Sequence, residues 1–390
     1  MTELTISLHS LIFNFNDLIL VMAAGQYILL TVLLLVAGQH EGKVSNQLLG
    51  AFLCLKAIQS VDMLLIWSEP LRHVVLQTNP NWLFIGTALS LLQGPLLYWY
   101  VASVLYRHFR FQWQDSLHLI PALFITGALI WRYYALPNTA QVAVMTDLTF
   151  MWSPLMTHTT TLWHLSVIAY GVYAMLAITR YRDLLKQRYA NVEVRKKSWL
   201  KGLIIGLLVI TAWRLLVHQL GDSINYASAD LLGISGNYIE FIFVNILVFT
   251  SIRYVHLFDR VEPPVKEAAQ TPSQRSYTDE QIARVQRLMA DQKPYLLHDI
   301  TIETLSRRAS IPERTLSRML NQHFGKNFFE FINSYRIEEA KRLLADPDCG
   351  QKTILDLMND AGFTSKSTFN TLFKKHVGQT PSQYRKDTTP

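Results

Sequence analysis

The sequence predicts an all-α protein in two parts: a polytopic membrane bundle of about seven transmembrane helices, then a soluble domain of two helix-turn-helix units joined by a long helix. Three observations support this prediction. Half of the 390 residues are hydrophobic, and apolar runs of about 18 to 25 residues dominate the chain before about Ser251. After that point charged residues become frequent and the apolar residues follow helical spacing. Within this second part, one pattern of apolar residues occurs twice.

The first part, residues 1–257, is predicted to cross a membrane seven times. A hydrocarbon core of about 30 Å requires roughly 20 apolar residues in a helix. The N-terminus lacks the basic start and the cleavage site of a secretory signal, so the first stretch is expected to be retained as an anchor. His118 and Pro121 interrupt the start of the fourth stretch. The stretches are approximately 16–37, 46–67, 82–106, 115–134, 161–181, 199–220 and 236–253.

The distribution of lysine and arginine predicts the orientation of these crossings. The connections after the first, third and fifth stretches are basic, whereas those on the other side carry only Arg72 and Arg132. By the positive-inside rule, the N-terminus lies outside and the C-terminus in the cytoplasm, which requires an odd number of crossings. The alternative, buried helices of a large soluble protein, does not predict this alternation.

Residues 258–277 are predicted to be a flexible linker. This stretch contains Pro263, Pro264 and Pro272, mixed charge and no periodic apolar face, a composition typical of an extended tether. A soluble domain, 278–390, follows it.

This domain contains a duplicated pattern at an offset of about 52 residues. Small Ala309 and Ala361 would let two helices approach closely, and Pro312 and Ser365 stand where a second helix should begin. Each copy therefore predicts a helix-turn-helix. Between the copies, the pattern predicts one helix over about 328–344, roughly 25 Å long. The two apolar sets are Leu305, Ala309, Ile311, Leu316 and Met319, and Leu357, Ala361, Phe363, Phe369 and Leu372.

If the apolar residues face inward, the second helix of each copy presents polar side chains to solvent. Arginine can bond guanine bidentately, asparagine can bond adenine, and lysine suits phosphates. The spacer would place the two helices in major-groove turns about 34 Å apart. The alternative is an ordinary helical bundle with a solvated basic face; the duplicated turn favours DNA binding. The candidate DNA-binding residues are Arg314, Ser317, Arg318 and Asn321, and Lys366, Ser367, Asn370, Thr371, Lys374 and Lys375.

Residues from about 295 to 386 resemble the DNA-binding domain of the AraC/XylS family of bacterial transcription regulators. Both copies, the spacer helix and the closing GQTPSQYR occur in order. The resemblance implies binding to promoter DNA, contact with RNA polymerase and, with the predicted spans, a place in the bacterial inner (cytoplasmic) membrane. Thr371 stands where family members often have Arg, so the second helix is expected to anchor phosphates more than it discriminates bases. The base-contacting positions implied are Arg314, Ser317 and Arg318, and Lys366, Ser367 and Thr371.

Ionisable residues inside the predicted spans suggest a ligand pocket, because such residues usually face a bundle interior or a cavity. Arg214, offset by Asp62 or Glu240, would bind a small polar or anionic ligand near the outer surface. The alternative is that Arg214 pairs with these acids to tie helices together, or extends to water. The candidate pocket residues are Lys56, Asp62, His164, Arg214 and Glu240.

These patterns favour a membrane-embedded transcription regulator that responds to a signal sensed by its membrane domain. The sequence shows no phosphate-binding loop, zinc-protease motif, Cys/His metal cluster or nucleophile elbow, so neither an enzyme nor a cofactor or metal site is predicted. Two alternatives stay open: a transporter-like protein with a regulatory DNA-binding tail, and a DNA-binding domain merely anchored in the lipid bilayer. A small-molecule ligand and a homodimer are further open expectations.

Overall fold

The structure, a computed structural model, describes residues 14–37, 43–106, 109–191, 198–221, 226–253 and 277–388. Regular secondary structure in these ranges is helical, as predicted. The chain divides into two compact units. The first comprises Met1–Ile178 and Ser198–Pro263, and the second Thr179–Lys197 and Pro264–Pro390. The predicted linker lies outside the described residues, except for Tyr277.

Among its described residues, the first unit contains ten α-helices, of which α8 continues into the second unit from Thr179 onward. Short 3₁₀ or π-helical turns lie at Pro80–Trp82, Ser90–Leu92, Trp113–Leu119 and Ile130–Tyr134. The helices are α1 (Phe15–Ala37), α2 (Lys43–Trp67), α3 (Glu69–Thr78), α4 (Ile85–Leu89), α5 (Gln93–Leu105), α6 (Ile120–Leu129), α7 (Asn138–Thr146), α8 (Pro154–Arg188), α9 (Ser198–Leu220) and α10 (Tyr226–Arg253).

Six helical stretches among the described residues are long and apolar enough to cross a membrane, judged by length and composition. They coincide with the first six predicted crossings. In the region of the seventh, the apolar part found within α10 is Leu232–Ile246, so a count of seven stays a prediction. The third stretch is not one continuous helix, since a 3₁₀ turn separates α4 from α5, whose third residue is Pro95.

In the part of the second unit that the structure describes, seven further α-helices are present. The helix predicted over 328–344 is α14, and the two predicted helix-turn-helix units are α12–α13 and α15–α16. Nine of the ten predicted apolar residues are buried, and Leu372 is half-buried. The bounds are α11 (Asp279–Asp291), α12 (Ile302–Ala309), α13 (Glu313–Gln322), α14 (Phe328–Ala345), α15 (Ile354–Asp360), α16 (Lys366–Val377) and α17 (Pro381–Thr388).

The long helix α14 contributes to two separate apolar cores. Its N-terminal half supplies Phe328, Phe331 and Ile332 to the core around α12 and α13. Its C-terminal half supplies Ile337 and other residues to the core around α15 and α16. Each helix-turn-helix therefore has its own core, and α14 connects them.

The two turns share a backbone feature that fixes the second helix of each unit. Ser310 and Gly362 both adopt the left-handed conformation, with φ of 53° and 87°. Side chains other than glycine tolerate this region poorly. A Cβ added to Gly362 would lie 2.7 Å from the Tyr295 carbonyl oxygen, so this position requires glycine on steric grounds as well.

Candidate DNA-binding surface and buried polar cluster

Helix α13 places the first predicted set on its outer face. Pro312 occupies its N-cap position, and Leu316, Met319 and Leu320 are buried on the inner side. Arg314 and Asn321 are exposed, while Ser317 and Arg318 are half-exposed. The Asn321 amide donates a hydrogen bond to the Ser317 carbonyl at 2.9 Å. This face thus combines guanidinium, amide and hydroxyl groups, which can all bond base edges.

Helix α16 places the second predicted set on its outer face. The Ser365 hydroxyl caps the helix by accepting from the Thr368 backbone N–H at 3.3 Å. Phe369 and Phe373 are buried, and Gly378 ends the helix in the left-handed conformation. The predicted residues of this helix are all exposed: Lys366, Ser367, Asn370, Thr371, Lys374 and Lys375.

The two helices differ in charge. Helix α16 contains three lysines and no acidic residue, whereas α13 contains two arginines and Glu313. Lysine is a flexible point charge suited to phosphates, and arginine offers the planar fork that bonds guanine. This contrast favours phosphate anchoring by α16 and base recognition by α13. The individual roles stay predictions.

A buried arginine absent from the predicted sites contacts the loop before the first helix-turn-helix unit and the turn of the second. Arg336 lies in the middle of α14 and is 1% exposed. Its guanidinium donates to the carbonyls of Tyr295 at 2.7 Å and Leu297 at 2.8 Å, and its Cζ lies 5.7 Å from the Phe363 ring centroid. Burial lowers the pKa of Arg336 to about 10, so the side chain is still charged at neutral pH. Helical spacing could have indicated that Arg336 is buried, because it lies four residues after buried Ile332 and four before buried Ala340.

In the first unit, three of the five predicted pocket residues meet. The Glu240 carboxylate forms ion pairs with Lys56 and with Arg214, each at 2.7 Å. The Tyr27 hydroxyl donates to the same carboxylate at 2.6 Å, and Arg214 also donates to the Asn237 side-chain oxygen at 3.0 Å. We call Tyr27, Lys56, Arg214, Asn237 and Glu240 the polar cluster. Tyr27 and Asn237 were not predicted, because sequence alone does not show which helix faces converge.

The other two predicted residues bond elsewhere. Asp62 accepts from the Thr87 backbone N–H and hydroxyl, each at 2.9 Å, and the His164 ring bonds the Thr160 carbonyl at 2.8 Å. Both are buried. Asp62 therefore links α2 to α4, and the hydrogen bond of His164 lies within α8.

A small cavity adjoins the polar cluster. Its volume is about 20 Å³, which is room for about one water molecule. Its polar lining includes Tyr27, Lys56, Gln59, Arg214, Asn237 and Glu240. With two cationic side chains and one carboxylate, the charged groups sum to +1 when all are ionised.

Known proteins match the C-terminal part of this chain. A model of a helix-turn-helix domain matches residues 305–387, which include α13 and α16. An uncharacterized HTH-type transcriptional regulator of Staphylococcus aureus (strain COL) is 37% identical over 89 residues, covering 23% of this chain and 12% of that protein. The chain thus spans only about an eighth of the length of that relative. No solved structure matches the chain significantly.

Two further relatives are matched over a larger share of their length. The HTH-type transcriptional activator RhaS of Enterobacter sp. (strain 638) is 30% identical over 103 residues, covering 26% of this chain and 36% of that protein. The probable transcription factor PqrA of Proteus vulgaris is 31% identical over 90 residues, covering 23% of this chain and 71% of that protein. The duplicated turn, the spacer helix and these matches agree: through its C-terminal domain, the chain belongs to the AraC/XylS family of helix-turn-helix transcription regulators.

Proposed function

We propose that this protein is a membrane-embedded transcription regulator that binds promoter DNA sequence-specifically through α13 and α16 and responds to a signal sensed by its first unit. One observation supports the DNA-binding part of the proposal most directly. In a domain of the AraC/XylS family, the two second helices of the duplicated units each expose a polar face over a buried apolar side. Contact with RNA polymerase follows from the family and belongs to the same proposal.

The length of α14 suits recognition of two groove segments by one chain. The helix has 18 residues, which corresponds to about 27 Å at 1.5 Å per residue. Successive major-groove turns lie about 34 Å apart. Recognition helices carried near the two ends of such a spacer are expected to contact neighbouring turns on one face of the duplex.

The surface of the first unit supports membrane embedding. Six stretches have the length and hydropathy of membrane spans. Several of them expose large apolar side chains, including Leu29 at 58%, Phe124 at 73% and Val209 at 62%. Soluble proteins rarely leave extended apolar surface in water, whereas lipid would cover it. The expected location is the bacterial cytoplasmic membrane, with the second unit in the cytoplasm.

The polar cluster supports a sensing role for this unit. A cluster with two cations and one carboxylate favours a small polar or anionic ligand, as the net charge of its ionised groups indicates. The cavity of about 20 Å³ is too small for a ligand much larger than water unless Glu240 or a neighbour moves. A ligand that displaces Glu240 from Lys56 and Arg214 would bind one state of the bundle better than another, which is what a signal requires.

The proposal is tested by selecting genomic DNA fragments with full-length protein in lipid nanodiscs and sequencing those retained. Wild-type protein is expected to enrich one shared motif, and the Arg318→Ala variant is expected to lose the preference at one position of that motif. Lys326→Ala is a basic control outside the predicted sites. Equal retention of all fragments by the wild-type protein would contradict sequence-specific binding.

A further inference from the structure

Three residues that follow α8 pack into the DNA-binding domain, although that domain begins only at residue 278. We call residues 189–191 the docking segment; it belongs to the second unit. Ala190 is 1% exposed and lies in the apolar core around α12 and α13. Its backbone N–H donates to the Ile300 carbonyl at 3.4 Å, and Tyr189 forms an antiparallel bridge with Thr301.

Asn333, in the spacer helix α14, forms a hydrogen bond with this segment. Asn333 is a polar residue only 1% exposed in the middle of α14. Its side-chain amide donates to the Ala190 carbonyl at 3.0 Å and to the Phe329 carbonyl at 2.8 Å. Its carbonyl oxygen accepts from Arg336 at 3.4 Å. Without Ala190, one donor of a buried amide would lack its partner, and buried polar groups are nearly always paired.

The last residue of the segment contacts the second helix-turn-helix. The Asn191 side-chain amide donates to the Thr364 hydroxyl. Thr364 is exposed and immediately precedes Ser365, the N-cap of α16. In helix-turn-helix proteins, the N-terminal residues of the recognition helix approach the bases. Asn191 therefore occupies the end of α16 that DNA would approach.

We propose that the docking segment is an internal lock on the DNA-binding domain. It contacts both helix-turn-helix units and the spacer between them, and DNA engages α16 fully only after Asn191 leaves Thr364. This inference rests on the proposed function and names how the DNA-binding site is regulated. The segment is covalently continuous with α8, whose earlier residues belong to the first unit and contain a candidate membrane span. A change at the end of α8 is thus transmitted to the lock without any additional protein.

The small size of the contact suits reversible release. The segment contributes one buried alanine side chain to a core whose other buried members all come from residues 282–332. Its other contacts include the bridge of Tyr189 with Thr301 and the hydrogen bonds of Ala190 and Asn191. We therefore expect the apolar core of the DNA-binding domain to stay in place when the segment leaves, because a segment essential for folding would contribute a larger share of that core.

The test uses full-length protein in nanodiscs with Asn191→Cys and Thr364→Cys, after Cys54→Ser and Cys349→Ser remove the native thiols. A short bis-methanethiosulfonate reagent cross-links the pair and a reductant reverses the link, so one sample serves as its own control. The probe is the DNA fragment that the wild-type protein enriches most strongly. We expect the cross-linked form to bind this fragment about tenfold more weakly than the reduced form, within the range typical of coupled sites.

A second variant tests the lock in the opposite direction. Ala190→Glu places a charge where the segment is buried and should release it, which strengthens binding about tenfold. Gln187→Glu adds the same charge at an exposed position of α8 and should leave affinity unchanged.

Three outcomes would overturn the inference: the absence of cross-linking, equal affinity of the linked and reduced forms, or unchanged affinity of Ala190→Glu. If neither wild-type protein nor Ala190→Glu enriches a fragment, the proposed function fails and the lock on DNA binding fails with it. If wild-type protein binds but these variants match it, only the lock fails.

Discussion

Ser310 and Gly362 lie 52 residues apart and adopt the same left-handed backbone at the turn of their helix-turn-helix units. The shared conformation sets the direction in which α13 and α16 leave their turns. The two positions differ in their surroundings, because a side chain at Gly362 would collide with the Tyr295 carbonyl. The duplication is therefore preserved in the backbone even where the residue type differs.

Gly362→Ala is expected to destabilise the second helix-turn-helix by about 1 to 3 kcal/mol, because it adds both a strained φ and a 2.7 Å contact. Ser310→Gly is the matched control: it removes strain and should change stability by less than about 1 kcal/mol. Hydrogen exchange of the α15 and α16 amides in the full chain measures both effects. Equal protection in Gly362→Ala and wild type would contradict the steric argument.

Arg336→Leu is expected to lower the free energy of unfolding of the second unit by about 2 to 5 kcal/mol. The change removes donors to the carbonyls of Tyr295 and Leu297, which join the loop after α11 to α14. Arg336→Lys should also destabilise, because an ammonium lacks the planar fork that reaches both carbonyls. Arg307→Leu, at an exposed position of α12, is the control. Denaturant unfolding followed by proteolysis compares them, and equal losses at the two positions would refute a special role for Arg336.

The ion pairs of Glu339 predict a pH-dependent contribution to stability. The hydrogen bond from Arg342, at 2.8 Å, and the nearby Lys293 lower the pKa of Glu339 below its usual 4.5. A carboxylate with a lowered pKa stabilises the folded state above its unfolded pKa, and the stabilisation is lost as pH falls through the folded value. Glu339→Gln should therefore destabilise by about 0.5 to 1 kcal/mol at pH 7. The difference in unfolding free energy between the variant and the wild type should disappear as the pH falls below about 4.5. A stability difference that grows in acid would contradict this pH dependence.

Two substitutions separate base recognition from phosphate contact. Arg318→Ala should weaken specific binding by about 1 to 3 kcal/mol and relax preference at one base pair. Lys374→Ala should weaken all sequences alike and reduce the salt slope by about one. Anisotropy titrations at several salt concentrations, with the selected motif and a scrambled duplex, measure both. If Arg318→Ala keeps full specificity, α13 is placed wrongly on the DNA.

The polar cluster predicts which buried charges affect signalling. Glu240→Gln and Arg214→Ala should alter the response of a promoter reporter to its signal, because Glu240 bonds both Lys56 and Arg214. Asp62→Asn is the control, since Asp62 bonds Thr87 instead. Immunoblots of membrane fractions confirm equal protein levels. An unchanged response in both cluster variants would favour a first unit that only anchors the DNA-binding domain.

Periodicity predicted the elements that depend on local sequence. Helix α14, both turns and the outward faces of α13 and α16 follow from apolar spacing, and Pro312 and Ser365 mark the helix starts. Helices α11 and α17 were not assigned individually. Hydropathy located the fifth predicted span but not the C-terminal end of α8, because most residues from Arg182 to Arg188 are charged or polar yet continue the helix.

The remaining features depend on contacts between distant residues. Arg336 resembles a surface arginine until α14 is placed between two cores. The contact of Ala190 with Asn333 joins residues 143 apart, and Glu240 meets Tyr27 across 213 residues. Such pairs are decided by which helix faces converge, and a single sequence does not contain that information. The predicted pocket of Lys56, Asp62, His164, Arg214 and Glu240 depends on the same convergence of helix faces and stays a prediction.

The most direct test isolates the protein from membranes together with the DNA that it binds. Cells expressing the tagged full-length chain are cross-linked, membranes are isolated, and the DNA retained on the protein is sequenced. Membrane-associated protein should carry a small set of promoter fragments with one shared motif, and the Arg318→Ala variant should lose them. Protein found in the soluble fraction, or membrane protein with no enriched DNA, would contradict the account.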